Sequence, residues 1–241
     1  MKKKIIVMLM VLLSVGLMAG HAAASDWEAI GGMAITEVTL DKWNGTIDDL
    51  NETYFDENGL IAQKGLPVND VEKMDNIDRV PIVYLGAQKA LTENWDGTIR
   101  YEYIFGGVEG SANIGGEEGS ANIGGEEHEH TAETDVRLHG LAFLTDYNLN
   151  ERWSLGGGLG FYRGTKNQNL VGSRFGKKEG DTDYDLDAVS YRLGLAYERS
   201  FAENWNVNAA LGYIYMEIDD QDEGNVYSKG FSYSLGVGYN F

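Results

Sequence analysis

Hydrophobic and polar positions alternate with a period of two along much of the chain. From Phe231 to Phe241 every odd position is aromatic or aliphatic, while the even positions are Ser, Ser, Gly, Gly and Asn. Successive side chains of a strand point to opposite faces, so such a segment has one oily face and one suited to a crowded polar interior. The same alternation runs through Trp95 to Phe105, Trp153 to Phe161, Val189 to Tyr197 and Trp205 to Tyr215. Less regular strand-like segments cover Trp27 to Leu40, Arg79 to Leu91 and Thr134 to Leu149. The pattern therefore predicts an all-β chain of eight strands.

The connections alternate in length, which a β-sandwich has no reason to do. Three are tight and alike: Leu91-Thr-Glu-Asn-Trp95, Leu149-Asn-Glu-Arg-Trp153 and Phe201-Ala-Glu-Asn-Trp205. Each sets a Trp at the start of the next strand, so Trp95, Trp153 and Trp205 are candidates for an aromatic girdle at a membrane–water boundary. The four intervening connections, roughly 41–78, 106–133, 164–187 and 217–229, are long and polar. Within the first, Ile47 to Phe55 has the composition of a short helix preceded by a turn-like Asn44-Gly45. A cap over a barrel mouth and an irregular loop both fit that stretch.

Charge sorts along the same division. The full chain has a formal charge of −19, and the four long connections carry −7, −7, −1 and −4 in order. A nearly neutral set of strands suits a low-dielectric surrounding, and the acidic balance argues against nucleic-acid partners. At the N-terminus, Lys2 to Lys4 precede an apolar or small run from Ile5 to Met18 and the small residues Ala22 to Ala24. That is the layout of a secretory signal peptide over 1–24, removed on export, which leaves 25–241 as one domain. The run of 14 residues is too short to cross hydrocarbon about 30 Å thick as a helix. No later run reaches the length of a transmembrane helix, and with no cysteine there is neither a disulfide nor a thiolate metal site.

On these features the chain resembles the small outer-membrane barrel family that includes OmpX, the OmpA membrane domain and the opacity-type surface proteins. The resemblance covers essentially the whole of 25–241. It implies an eight-stranded antiparallel up-and-down transmembrane β-barrel with short periplasmic turns and long extracellular loops. It also implies that Ser234, Gly236, Tyr239 and Phe241 form a C-terminal assembly signal read by the barrel-insertion machinery.

Other candidates come from the residues alone. The inward-facing sets place Arg100, Glu102, Arg192 and Glu198, with Glu28, inside a narrow lumen. Isolated charges there would be costly, so they are expected to pair across the interior into a network that plugs it. His128 and His130 in an acidic stretch, and the alternating Asp181, Asp183 and Asp185, are possible metal ligands. The spacing favours solvated acidic tracts over either site. His139 lacks a partner pattern for nucleophilic catalysis. A nine-residue tandem repeat, Gly110 to Glu118 and Gly119 to Glu127, marks a connection whose length is free to vary.

The expected protein is a non-enzymatic outer-membrane surface barrel without a cofactor. It would serve envelope structure, adhesion or cation binding through acidic loops. Its partners would be outer-membrane lipid, the insertion machinery, and divalent cations or host or matrix ligands, with no nucleic acid. A narrow porin-like channel and a lipid-modifying enzyme are the rivals.

Overall fold

Every tight turn foreseen in the sequence joins two strands that pair antiparallel outward from the turn, and the pairing closes into a ring. The computed structural model describes residues 27–54, 56, 68–114, 128–172 and 179–241. In chain order the elements are β1 (Trp27–Glu37), α1 (Asp41–Tyr54), β2 (Val68–Glu72), β3 (Arg79–Thr92), β4 (Trp95–Ile114), β5 (His128–Asn148), β6 (Trp153–Gly172), β7 (Glu179–Ala202), β8 (Trp205–Asp220) and β9 (Gly224–Asn240). All pairings are antiparallel, and eight strands run around the ring in the order β1, β3, β4, β5, β6, β7, β8, β9 and back to β1. The short β2 lies outside the ring, pairing with the far end of β4 through Val68–Ile114 and Asn69–Asn113.

Two-residue periodicity explains both surfaces. Odd positions of β4 to β9 face out, and Tyr101, Leu141, Phe161, Leu193, Leu211 and Leu235 are all exposed. The ring thus wears a continuous apolar belt. Its edge at the short turns is aromatic, with Trp95 opposite Tyr147, Trp153 opposite Tyr197 and Trp205 opposite Tyr239. Ring centroids of these three pairs lie 5.2, 5.0 and 4.9 Å apart. Eleven residues separate the girdle at Trp95 from the far edge at Phe105, inclusive, the length at which a tilted strand crosses a bilayer.

The strands outrun their expected ends. β4 continues nine positions beyond Phe105 and β5 begins at His128, so much of the expected loop 106–133 is a two-stranded extension. Likewise 164–172 and 179–187 belong to β6 and β7. The span 217–229 is no long loop. β8 runs to Asp220, β9 starts at Gly224, and Gly224 takes a positive φ of 67° to close the turn. Pairing of β7 with β8 stops at Leu186–Asp220, so β7 beyond that point pairs with β6 alone. The proposed signal segment and residues 115–127 of the tandem repeat lie outside the described residues.

The first connection folds back over the mouth. Helix α1 starts at Asp41, six residues before the expected Ile47, and absorbs the Asn44-Gly45 pair expected to turn. Its buried side chains, Trp43 and Ile47, with half-buried Leu50, recur at helical spacing on one face. Leu40 is buried beside them, and its carbonyl accepts the Asn44 amide at 2.9 Å. Burial of that face outweighs the roughly 1 kcal/mol that a mid-helix glycine costs. Asn44 and Asn51, two turns apart, each clamp the extended segment 73–78. Asn51 exchanges two 2.9 Å hydrogen bonds with the backbone of Met74, and Asn44 accepts from the Ile77 amide at 2.9 Å.

Candidate functional site

Inside the ring three levels succeed one another from the short turns to the mouth. The lowest is a cavity of about 670 Å³ that reaches down to the turn residues Asn94, Glu151 and Asn240. Carboxylates of Glu28, Asp96, Asp146 and Glu198 line it. Asn206, 1% exposed, joins two of them by donating to Glu28 at 2.7 Å and Glu198 at 3.1 Å. A Cβ at Gly238 would displace the Glu28 carboxylate and the Asn206 amide oxygen, so the glycine leaves these side chains their place against β9. Asn148 donates to Asp96 at 2.9 Å.

The middle level is a charge cluster reaching across the lumen. Glu102 of β4 is wholly buried and receives Arg100 Nε at 2.5 Å and Arg192 Nη1 at 2.8 Å, with a second, shorter contact from Arg192 Nη2. The Tyr162 hydroxyl donates to Glu102 Oε2 at 2.8 Å and is itself approached by Arg192 Nη2 at 2.5 Å. Arg100 also lies over the Tyr84 ring, 4.5 Å from its centroid. A bidentate guanidinium, a second arginine and a phenol satisfy a carboxylate that burial would otherwise penalise heavily. Among the described residues Arg192 Nε has no hydrogen-bond partner.

Of the five interior residues singled out in the sequence, three meet here. Glu28 and Glu198 do not join them. They sit near the turn end of their strands, while Arg100 and Arg192 are held by Glu102 higher in the ring. Tyr162, Tyr84 and Asn206 were not anticipated. Their inward parity was readable, but which strands face one another across the lumen depends on ring closure.

The upper level is apolar. Ile104, Leu138, Tyr162, Ile214 and Met216 meet Trp43 and Ile47 of α1 in one buried cluster. Lys166 enters this level from β6 without exposed surface. It contacts Asp220 Oδ2 at 2.7 Å and Glu223 Oε1 at 3.0 Å, and Trp43 Nε1 donates to the same Asp220 oxygen at 2.8 Å. The other Asp220 oxygen accepts the Asp222 amide at 2.9 Å. These residues lie beyond the apolar belt. Burial alone would push the Asp220 carboxyl up, but the hydrogen bonds from Lys166, the Asp222 amide and Trp43 hold it below its ordinary value. Burial would likewise lower Lys166, and hydrogen bonds to Asp220 and Glu223 with their charges raise it instead. Lys42 and Thr46 of α1 also bond to Glu223, so the helix is tied to the β8–β9 turn.

The remaining sequence candidates lie at the ring's seam, on the outside or at the rim. Ser234 and Gly236 face inward on β9 opposite Ala34 and Gly32 of β1, where the first and last strands close the ring. Phe241 is exposed, and its ring meets Tyr239 edge-on at 5.1 Å, extending the Trp205–Tyr239 pair. Asp183 and Asp185 project outward from the extension of β7, and Asn167 donates to Asp183 at 2.9 Å. His128 and His130 lie on β5, but their side chains, like that of Asp181, are outside the described residues. Among the described residues no three ligand-type side chains converge as a metal site would require.

A closed eight-stranded antiparallel ring with an outward apolar belt, aromatic edges and a charged, packed interior defines a transmembrane β-barrel of the small up-and-down type. Among the described residues no helix is long and apolar enough to cross a membrane. No family model matches the chain, and no curated protein does. Solved structures of outer-membrane barrels resemble it. Ail, the attachment invasion locus protein of Yersinia pestis, is 19% identical with a TM-score of 0.44 over 90% of this chain and 99% of its own. Neisserial surface protein A is 11% identical with a TM-score of 0.42, over 90% and 98%. OprG from Pseudomonas aeruginosa is 14% identical with a TM-score of 0.39, over 90% and 96%. The strand ring and belt of this chain define its class independently of those likenesses.

Proposed function

We propose that the protein is a non-enzymatic surface barrel of the outer membrane that presents an acidic, strand-built rim to the outside. The crowding of its lumen at two levels carries this reading. Among the described residues, paired charges at the Glu102–Arg192–Arg100–Tyr162 level and packed side chains under α1 crowd the lumen, which disfavours the channel alternative. What projects beyond the belt instead is β2 with the ends of β4 to β7, in the acidic part of the chain. Such a rim suits cationic partners and divalent ions. A polyanion like the heparin analogue bound to Ail has the wrong charge for it. His139, the one histidine whose side chain is described, faces outward opposite Arg163 and Tyr103, with no Ser, Thr or Cys among those cross-strand partners.

In this reading the chain is exported by the 1–24 segment, which is then cleaved. It is inserted through recognition of Ser234, Gly236, Tyr239 and Phe241, and deleting Phe241 should leave it unassembled and open to periplasmic proteases. The deciding measurement is in planar bilayers and on whole cells. The intact protein should show no steady conductance, and Ca²⁺ should protect the rim from added protease more than matched NaCl. A large, stable conductance would put the channel reading first, and equal protection by both salts would remove cation binding.

A further inference from the structure

The four carboxylates of the lower cavity stand as two pairs on opposite walls. Asp96 of β4 and Asp146 of β5 are direct cross-strand partners, so their Cβ atoms lie about 5 Å apart. Glu28 of β1 and Glu198 of β7 are bridged by the amide of Asn206 on β8. In the ring order β4 and β5 lie across the lumen from β8 and β9. None of the four carboxylates is in an ion pair with a described residue. Arg100 and Arg192 also line the cavity, but Glu102 between them cancels one of the two. At the turn end Lys89 and Arg152 are matched by Glu93 and Glu151. The cavity is thus left with excess negative charge. Asn206 adds an acceptor without a donor. It is buried, and among the described residues its Oδ1 has no hydrogen-bond partner. A Cβ on inward-facing Gly238 would clash with that oxygen, so the oxygen lies on the lumen side of β9. An acceptor buried without a donor is costly, and a donor arriving in the cavity relieves it.

We infer that this cavity binds a linear aliphatic polyamine, with one ammonium group at Asp96 and Asp146 and another at Glu28, Glu198 and the Asn206 oxygen. Among the described residues no three ligand-type side chains converge as around a metal ion, so a single small cation meets one wall only. A flexible chain with amines several carbons apart spans both walls, and its methylenes run past Ile30, Ile82 and Leu144. Its N–H groups give the carboxylates charge-assisted hydrogen bonds. The volume of about 670 Å³ is of the size that encloses small ligands. The cavity reaches the short turns at Asn94, Glu151 and Asn240, the periplasmic end of a barrel of this class, so the amine enters from the periplasm. Access from that side rests on the membrane placement proposed above; the binding groups do not.

The test uses the folded full chain in detergent and isothermal titration calorimetry at one fixed ionic strength, with spermidine, butylamine and CaCl₂ as probes. Spermidine should bind roughly tenfold or more tighter than butylamine, since a second ammonium adds at least one charge-assisted hydrogen bond. Asp96→Asn with Asp146→Asn should weaken spermidine by roughly tenfold or more, and so should Glu28→Gln with Glu198→Gln. Asp183→Asn with Asp185→Asn removes the same charge from the rim and should change spermidine affinity less than about twofold. An equal loss in the rim variant shows attraction by net charge alone and overturns the site. Butylamine binding as tightly as spermidine overturns the two-walled arrangement. Displacement of spermidine by equimolar Ca²⁺ shows a metal site and overturns the polyamine assignment. If a double variant fails to fold, Asp146→Asn alone should weaken spermidine by about threefold or more, and unchanged affinity overturns the site. Folding is reported separately by the shift between unheated and boiled gel bands, so a failed membrane reading is distinguishable from a failed polyamine site.

Discussion

The two halves of the barrel interior are built from the same alternating strands and end up as opposites. Near the short turns, inward positions are Gly156, Gly158, Asn206, Gly236 and carboxylates, and the space stays open as an acidic cavity. Near the mouth, inward positions are Ile, Leu, Met and Tyr, and a helix from elsewhere in the chain fills what remains. Between them one buried carboxylate with two arginines forms the partition. Eight strands enclose a space that side chains just fill, so small residues leave a hollow and large ones a core. The alternation of faces is indifferent to which.

The partition should be the most sensitive point of that contrast. Glu102→Ala leaves Arg100 and Arg192 without their shared anion in a buried site, and should destabilise the folded protein by about 3–5 kcal/mol in urea titrations. A change within about 0.5 kcal/mol, the size expected of an exposed site, would mean the level is hydrated and not a partition. Trp43→Ala should cost about 3 kcal/mol or more, since it empties the centre of the apolar half and removes a donor to Asp220. Conductance sharpens the comparison. Replacing both arginines with Ser should leave the bilayer tight while α1 stays docked, and current should appear only when Trp43→Ala is added. Current from the arginine pair alone would show that the apolar half does not seal.

The Lys166–Asp220 tie sets a pH window for the helix. Asp220 is held below its ordinary value, so its contribution is present above about pH 4 and is lost as pH falls through the depressed folded value. Lys166 is raised, so its contribution is present below about pH 10.4 and is lost as pH climbs through the elevated one. Docking of α1, followed by Trp43 fluorescence, should therefore be flat across neutral pH and weaken at both extremes, and Asp220→Asn should remove the acid limb. The smallest effect belongs to the girdle. Trp153→Ala should lower stability by about 1 kcal/mol through loss of its tilted contact with Tyr197, without touching either half of the interior.

Strand number, the three Trp turns and the inward or outward sense of each side chain were legible because a strand's period is local: any two neighbours two apart must share a face. Arg100, Glu102 and Arg192 were recognisable as inward charges for the same reason. That Glu28 and Glu198 stand apart from them was not, since it depends on height around a closed ring and on Asn206 reaching both. Lys166, Asp220 and Trp43 come from three distant segments, and no short-range pattern announces their meeting. The helix shows the limit most plainly. Asn44-Gly45 reads locally as a turn, and only the groove offered by the mouth, with the backbone at Met74 and Ile77 to occupy Asn51 and Asn44, makes a helix the lower-energy choice. By itself the amino-acid order determined a barrel and its two faces, because those follow from neighbours along a strand. Which half is hollow, what seals it and which charges share a partner were decided by tertiary structure, because each requires groups far apart in the chain to be brought within hydrogen-bond reach.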